Sequence, residues 1–436
     1  MVLLKIALVF VLIVLMLRLK VPFSISILFS GLILGIGFGL GFSDIGRSAL
    51  ATLQERDTIS LSVIVGIILV LSELLEASGQ LAELGQLIIR TFGLHRWTYT
   101  ILPAIIGLLP MPGGALFTAP LMDGVSEACI PAHKKTLINY WFRHIWEYAW
   151  PLYPGLVLAA GLANVNLNTF SLIQSPFTVL SAAIGAILIL PGIKILDEHS
   201  HKGSLKEFLR MIYLISPIII IILLFVVFGL DMLVCLLAGL LAAMLNTVFG
   251  RRFPPKADPP MAEKPLQVLK IIFAKWSVYQ MIFVVICVLV FSGIMRSSAL
   301  IGDLSDFFTG RPSPGYGAAG GIGSEIPFIY AVITIIFLPF IVGLLTGLTV
   351  GFVGITFPLI FSTIVPNGID VLPMAVLAYV SGVTGVMLSP VHLCLVLTNQ
   401  YYNSSFRRVY KTLTPVALSI LMLAIMGFLL YTLVWH

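Results

Sequence analysis

The stretch of this 436-residue chain with most capacity for chemistry is Tyr140-Trp-Phe-Arg-His-Ile-Trp-Glu-Tyr-Ala-Trp-Pro-Leu-Tyr-Pro154. Glu147 follows Arg143 by four residues and His144 by three, so on a helix the three side chains share a face. The surroundings are apolar and aromatic, and Lys135 is about 12 Å away along the helix axis. An ionisable group inside a spanning helix costs about 2.5–3.5 kcal/mol on insertion scales, which makes it a functional candidate. Two arrangements fit these residues. Arg143 and Glu147 could form an internal pair that pins two helices together. Alternatively, Arg143 faces an anionic substrate while His144 and Glu147 carry a coupling ion, His144 being the residue type that switches near neutral pH.

Two further stretches combine glycine, proline and threonine: Pro110-Met-Pro-Gly-Gly114 followed by Thr118, and Thr346-Gly-Leu-Thr-Val-Gly351 followed by Thr356. Glycine lets backbone N–H groups approach an anion closely. Pro112, Gly113, Gly114, Thr118, Thr349, Gly351 and Thr356 are therefore candidate substrate contacts, although the same residues would also serve as kinks in packed helices. Later in the chain, Ser381, Thr384, Ser389, Pro390, His392 and Asn399 occupy an apolar segment with no carboxylate. Ser389 and His392 are candidates for the substrate, and Thr346, Thr384 and Asn399 for a coupling Na⁺. Ser and Thr are equally used as packing glue between membrane helices.

The elements that must position these groups are membrane helices. Hydrophobic residues make up 59% of the chain and charged ones 10%, with a mean hydropathy of +1.08. A soluble domain would carry roughly 25% charged residues. Spans of about 20 residues are expected near 3–19, 23–42, 58–77, 135–162, 170–194, 208–229, 231–250, 270–297, 370–402 and 412–434. The first, with no weighty basic region and no small-residue cleavage site, reads as a helix rather than a signal peptide. The segments 98–128 and 327–362 are interrupted at their centres. The arm from Trp97 to Pro110 would reach only about 20 Å, so both are expected to be re-entrant hairpins, tolerable where buried in protein or lining a cavity. Segments 78–92 and 299–310 read as interfacial amphipathic helices.

The order of elements repeats. Phe29-Ser-Gly-Leu32 aligns with Leu237-Ala-Gly-Leu240, and Ser72-Glu-Leu-Leu-Glu-Ala-Ser78 with Ser292-Gly-Ile-Met-Arg-Ser-Ser298. Gly107-Leu-Leu…Thr118-Ala-Pro120 aligns with Gly343-Leu-Leu…Thr356-Phe-Pro358, and Tyr140 and Pro151 with Tyr379 and Pro390. The expected fold is an all-α polytopic membrane protein of two inverted repeats. Each repeat has five transmembrane helices and one hairpin: residues 1–195 form the first, 196–207 a cytoplasmic linker and 208–436 the second. Of 25 Lys and Arg, Arg143 lies inside a helix, and this topology puts Lys5, Arg47, Arg56, Arg296 and Arg311 on one side and the rest on the other. The positive-inside rule makes the richer side cytoplasmic and leaves both termini outside.

The net charge of +6 is spread over short loops and forms no nucleic-acid-binding stripe. Cys129, Cys235, Cys287 and Cys394 stand singly without metal-ligand spacing, so neither a metal nor a cofactor is expected. There is no His-Glu-x-x-His, no Gly-x-Ser-x-Gly and no Walker A loop, which argues against an intramembrane enzyme and an ATP-driven pump.

Two five-helix repeats, each with a hairpin before a broken helix, resemble the ion transporter superfamily of citrate, C4-dicarboxylate, gluconate and lactate carriers and some sodium/proton antiporters. The run Leu109-Pro-Met-Pro-Gly-Gly-Ala-Leu-Phe-Thr-Ala-Pro120, with Arg143-His-Ile-Trp-Glu147, is similar to a prokaryotic permease family of unknown function placed in that group. The resemblance implies a secondary carrier in a prokaryotic inner membrane, with substrate and ion contacts at Gly113, Gly114, Thr118, Thr349, Gly351 and Thr356. It also implies homodimers and an elevator motion. The Ser-Asn-Thr hairpin signatures of the dicarboxylate/sodium branch are absent from both tips, so neither dicarboxylate specificity nor sodium coupling carries over. The expected function is import or export of a small organic anion coupled to H⁺ or Na⁺. The alternative is a cation/proton antiporter with no organic substrate.

Overall fold

The computed structural model describes residues 2–92, 96–111, 113–123, 130–191, 193, 204–249, 270, 275–309, 328–363 and 370–435. Among them the regular structure is entirely helical. Among the described residues six helices are long and apolar enough to cross a membrane: α4 (Arg56–Ala77), α10 (Leu167–Ile189), α11 (Leu205–Ile222, prolonged by a π-turn to Val227), α12 (Met232–Phe249), α13 (Trp276–Ser297) and α19 (Phe406–Trp435). Side chains such as Val179, Ile187, Leu241 and Leu430 remain exposed on them. Apolar surface of that extent suits lipid rather than water.

Local chemistry sets the boundaries. Ser204 and Glu207 form a capping box at the start of α11, and the Asn166 side chain caps α10. α2 (Phe23–Gly37) starts directly after Pro22, and α8 (Ala132–His144) after Pro131. α8 runs through a 3₁₀ turn (Ile145–Tyr148) into an irregular stretch and resumes as α9 (Pro154–Leu162), with Pro154 at its first position. The break contains Pro151, which has no N–H to continue the ladder. α17 (Val371–Met387) and α18 (Leu393–Tyr401) are separated in the same way around Pro390. The expected spans 135–162 and 370–402 are thus pairs of half-length helices.

The expected hairpin arms are α6 (Arg96–Gly107) and α7 (Ala115–Asp123) in the first half, and α15 (Phe328–Thr346) and α16 (Thr349–Thr363) in the second. They differ in reach. Twelve residues in α6 give about 18 Å, whereas 19 in α15 give about 28 Å. α6 packs on α8 and α15 on α17. The segment 78–92 is largely helical as α5 (Gln80–Phe92), and 299–310 as α14 (Leu300–Thr309). α5 lies against α4, α6 and α11, held by a bidentate Arg210–Glu83 pair at 2.7 and 3.0 Å.

One helix was not anticipated: α3 (Phe42–Gln54), in the interval between two expected spans. It packs on α13, where Ser48 and Ser297 share a 2.9 Å hydrogen bond and Glu55 meets Arg296 at 3.3 Å. The expected linker 196–207 lies mostly outside the described residues, as does Cys129.

Candidate functional site

Both tips turn on a glycine in the left-handed region, Gly113 at φ +70° and Gly347 at φ +63°, where a side chain would be strained. Glycines also bring the arms against their neighbours. A Cβ on Gly107 would strike the Arg143 carbonyl, and one on Gly343 the Gly382 carbonyl. Arg143 and Gly382 are separated by the same interval as Tyr140 and Tyr379.

The breaks in α8–α9 and α17–α18 leave carbonyls without intrahelical partners. Aromatic side chains satisfy them. Tyr140 Oη donates to the Met387 carbonyl and Tyr379 Oη to the Glu147 carbonyl, both at 3.0 Å. Each tyrosine therefore serves the break in the other half. Within the first half, Trp146 Nε1 donates to the Ala104 carbonyl (2.7 Å), Trp150 Nε1 to Leu108 (2.9 Å) and Tyr153 Oη to Gly107 (2.7 Å). This clamps the end of α6 against the break. Trp150→Phe leaves the Leu108 acceptor without that partner, at about 1–3 kcal/mol. The variant is expected to melt earlier in detergent than wild type, whereas Trp276→Phe, on an exposed ring, is not. Equal melting of both variants would remove the clamp from the account.

Four groups converge between these tips and breaks. Arg143, His144, Glu147 and His392 are 2, 3, 6 and 7% exposed. The Arg143 guanidinium lies on the Gly114 backbone, occupying the place where a Cβ would be. Among the described residues it forms no ion pair, and Nη1 has no hydrogen-bond partner. Glu147 instead accepts a 3.0 Å bond from Thr349 Oγ1, at the start of α16. The internal Arg143–Glu147 pair, one of the two sequence-level arrangements, is not formed. His392 Nδ1 contacts the Gly347 carbonyl at 3.0 Å, and its Nε2 lies 3.3 Å from His144 Nε2. A buried cation, a carboxylate and two imidazoles thus meet where the two tips approach the two breaks.

A family model described as a protein of unknown function, DUF401, matches residues 2–309 and 315–434. The chain belongs to the DUF401 family. No curated protein matches it.

In this DUF401 chain the remaining candidate residues divide. Ser389 sits beside Gly347, whose Cβ would lie 3.0 Å from Ser389 Oγ, so it borders the cluster. Gly351 packs against Phe23, Leu348 and Thr346. Thr118 is turned away, bonded to the Ala115 carbonyl and the Asn139 side chain. Thr346, Thr356 and Thr384 each donate back to the carbonyl four residues earlier. Asn399 binds Ser404 at the far end of α18. Those hydroxyls and that amide are engaged within their own segments. Pro112 lies outside the described residues. Glu73 and Glu76 face Lys275, and Asp123 pairs with Lys135 at 2.8 Å.

Two participants escaped the sequence pattern. Cys394, expected to be an inert thiol, belongs to the cluster: its sulfur lies with the ring nitrogens of His144 and His392, the three ligand atoms all within 4.8 Å of one another. Tyr379 was visible only as the repeat partner of Tyr140.

Proposed function

We propose that this protein is a secondary active transporter for a small organic anion of carboxylate type, coupled to H⁺ or Na⁺. The observation that carries this reading is the Arg143 guanidinium, buried against the Gly114 backbone with Nη1 unpartnered. Among the described residues this guanidinium has no ion-pair partner, and an anionic ligand is a partner that would complete it. Guanidinium geometry suits a carboxylate, which it binds with two parallel hydrogen bonds. Glu147, held by Thr349, is the carboxylate available to a coupling cation.

The two halves are read as inverted repeats of five helices and one hairpin, working by alternating access in a prokaryotic cytoplasmic membrane with both termini outside. Supporting that reading are the equivalent contacts of Gly107 with Arg143 and of Gly343 with Gly382, and the reciprocal bonds of Tyr140 and Tyr379. The resemblance to the ion transporter superfamily adds a homodimer moving as an elevator.

The test is a thermal-shift screen of organic anions on purified protein in detergent, with and without Na⁺ and at two pH values, on wild type and Arg143→Gln. A stabilising anion whose effect disappears in Arg143→Gln, at unchanged basal melting, is the expected result. Stabilisation by Na⁺ or pH alone, with no anion effect, would replace this reading with the cation/proton antiporter.

A further inference from the structure

The two imidazoles of the cluster are fixed in a way that a carrier for an anion does not require. His144 Nδ1 faces the Tyr140 carbonyl at 2.5 Å, and His392 Nδ1 faces the Gly347 carbonyl at 3.0 Å. A carbonyl only accepts, so each Nδ1 carries the ring proton. In the neutral rings each Nε2 then carries an acceptor lone pair, and the Cys394 thiol hydrogen-bonds to His144. These two lone pairs point at one another across 3.3 Å, with the rings edge-on at 79° rather than stacked. Two acceptors that close repel unless something positive lies between them.

The spacing suggests what that is. Zn²⁺ binds imidazole nitrogen at 2.0–2.1 Å, and a tetrahedral angle then separates two such nitrogens by about 3.3–3.4 Å. The third group is a thiol: Cys394 Sγ lies within 4.8 Å of both ring nitrogens, and all three residues are buried. Backbone carbonyls holding the Nδ1–H groups are the usual outer partners of histidines that bind a metal, fixing tautomer and ring orientation. Ca²⁺ and Mg²⁺ prefer oxygen ligands, whereas two imidazoles and a thiolate suit a borderline-soft ion.

We propose that His144, His392 and Cys394 form a transition-metal site of the zinc class, joining the end of α8 to the start of α18. Both histidines bind through neutral Nε2. Cys394 binds as thiolate, so its proton is released to solvent when the metal enters. Three protein ligands leave the fourth tetrahedral position open. A ligand set completed only when His144 meets His392 and Cys394 binds the folded protein more tightly than the unfolded chain, so Zn²⁺ stabilises the fold.

The site is independent of the anion reading, and the experiment keeps the two apart. Untagged full-length protein in detergent is stripped of metal, dialysed and titrated with CoCl₂, then with ZnCl₂. The expected result is a tetrahedral cobalt spectrum with a near-ultraviolet thiolate band, displaced by Zn²⁺ at one ion per chain. Zinc is also expected to raise the melting temperature. Cys394→Ser loses the thiolate band, and both Cys394→Ser and His392→Gln weaken Zn²⁺ at least about tenfold to a hundredfold. Arg143→Gln, which removes the group behind the anion reading, keeps the spectrum. Should the ligand variants fail to fold, zinc-edge X-ray absorption on wild type decides: one sulfur at about 2.3 Å and imidazole nitrogens at about 2.0–2.1 Å are expected. An all-oxygen shell, a thiolate band surviving Cys394→Ser, or folded wild type that retains no metal would overturn the site. The last of these leaves a proton shared between the two Nε2 atoms.

Discussion

Gly114→Ala is expected to melt like wild type and to bind the stabilising anion about tenfold to a hundredfold more weakly. The new methyl falls on Arg143 Nη2, with Cζ at 2.5 Å and Nη1 at 3.1 Å. Those atoms are the free end of a long side chain, and a guanidinium with an unpartnered Nη1 can swing aside at small cost to the fold. Displaced, it no longer meets the ligand in its charge-assisted geometry. A hydrogen bond to a charged group is worth about 1.5–3 kcal/mol, and each 1.4 kcal/mol is tenfold in Kd. Gly107→Ala makes the contrasting case. Its methyl strikes the Arg143 carbonyl, with Arg143 C and Cα at 3.0 Å. Backbone atoms inside a packed helix pair have nowhere to go, so α6 and α8 must separate and stability falls by about 1–3 kcal/mol. Two glycines touching one arginine should therefore give opposite phenotypes, read by melting temperature and by anion titration on the same samples. Equal destabilisation by both would mean that Arg143 is a packing element. Unchanged anion affinity in Gly114→Ala would separate the tip from the binding site.

The parts of the site visible in the sequence are those written in backbone-specific residues. Gly113, Gly347, Pro151 and Pro390 announce tips and breaks because glycine favours the left-handed region and proline interrupts a helix, and their recurrence in order is what the repeat reading rests on. Burial of Arg143, His144 and Glu147 followed from ionisable residues inside an apolar run. Hydroxyl groups were less informative. Thr118, Thr356 and Thr384 have the composition of an ion site, yet each donates to a carbonyl three or four residues earlier, a choice that depends on which helix face meets lipid or protein. The imidazole–thiol cluster was invisible to spacing rules because His144 and His392 lie 248 positions apart. Only the packing of two broken helices brings them together. α3 was missed for a different reason. A search for runs of 20 apolar residues passes over a 13-residue helix whose polar side chains Ser48 and Glu55 reach across to Ser297 and Arg296.

Glu147→Gln is expected to abolish ion-driven accumulation of the anion in proteoliposomes while labelled-anion exchange continues. The amide oxygen of glutamine still accepts the Thr349 hydroxyl bond found at 3.0 Å, and the Tyr379 bond goes to the backbone carbonyl of residue 147, which the substitution leaves in place. The link from α16 and the link from α17 to the first break therefore both survive, and with them the arrangement of Arg143 on Gly114. What disappears is the carboxylate of the cluster. On the proposed reading that carboxylate serves a coupling cation of either kind: a proton can occupy it, and Na⁺ can take its oxygen as a hard ligand. On the proposed carrier reading the ion gradient then has nothing to act on, while anion binding and the movement of the loaded protein remain. Accumulation that persists in Glu147→Gln would move coupling elsewhere. Loss of exchange and accumulation together, at unchanged melting, would place Glu147 in anion binding instead. Thr349→Val sharpens the test. It keeps the charge but removes the bond that orients it, so accumulation should fall partially and exchange should be preserved. The order wild type, Thr349→Val, Glu147→Gln in ion-driven uptake is what a coupling carboxylate positioned by the opposite tip requires.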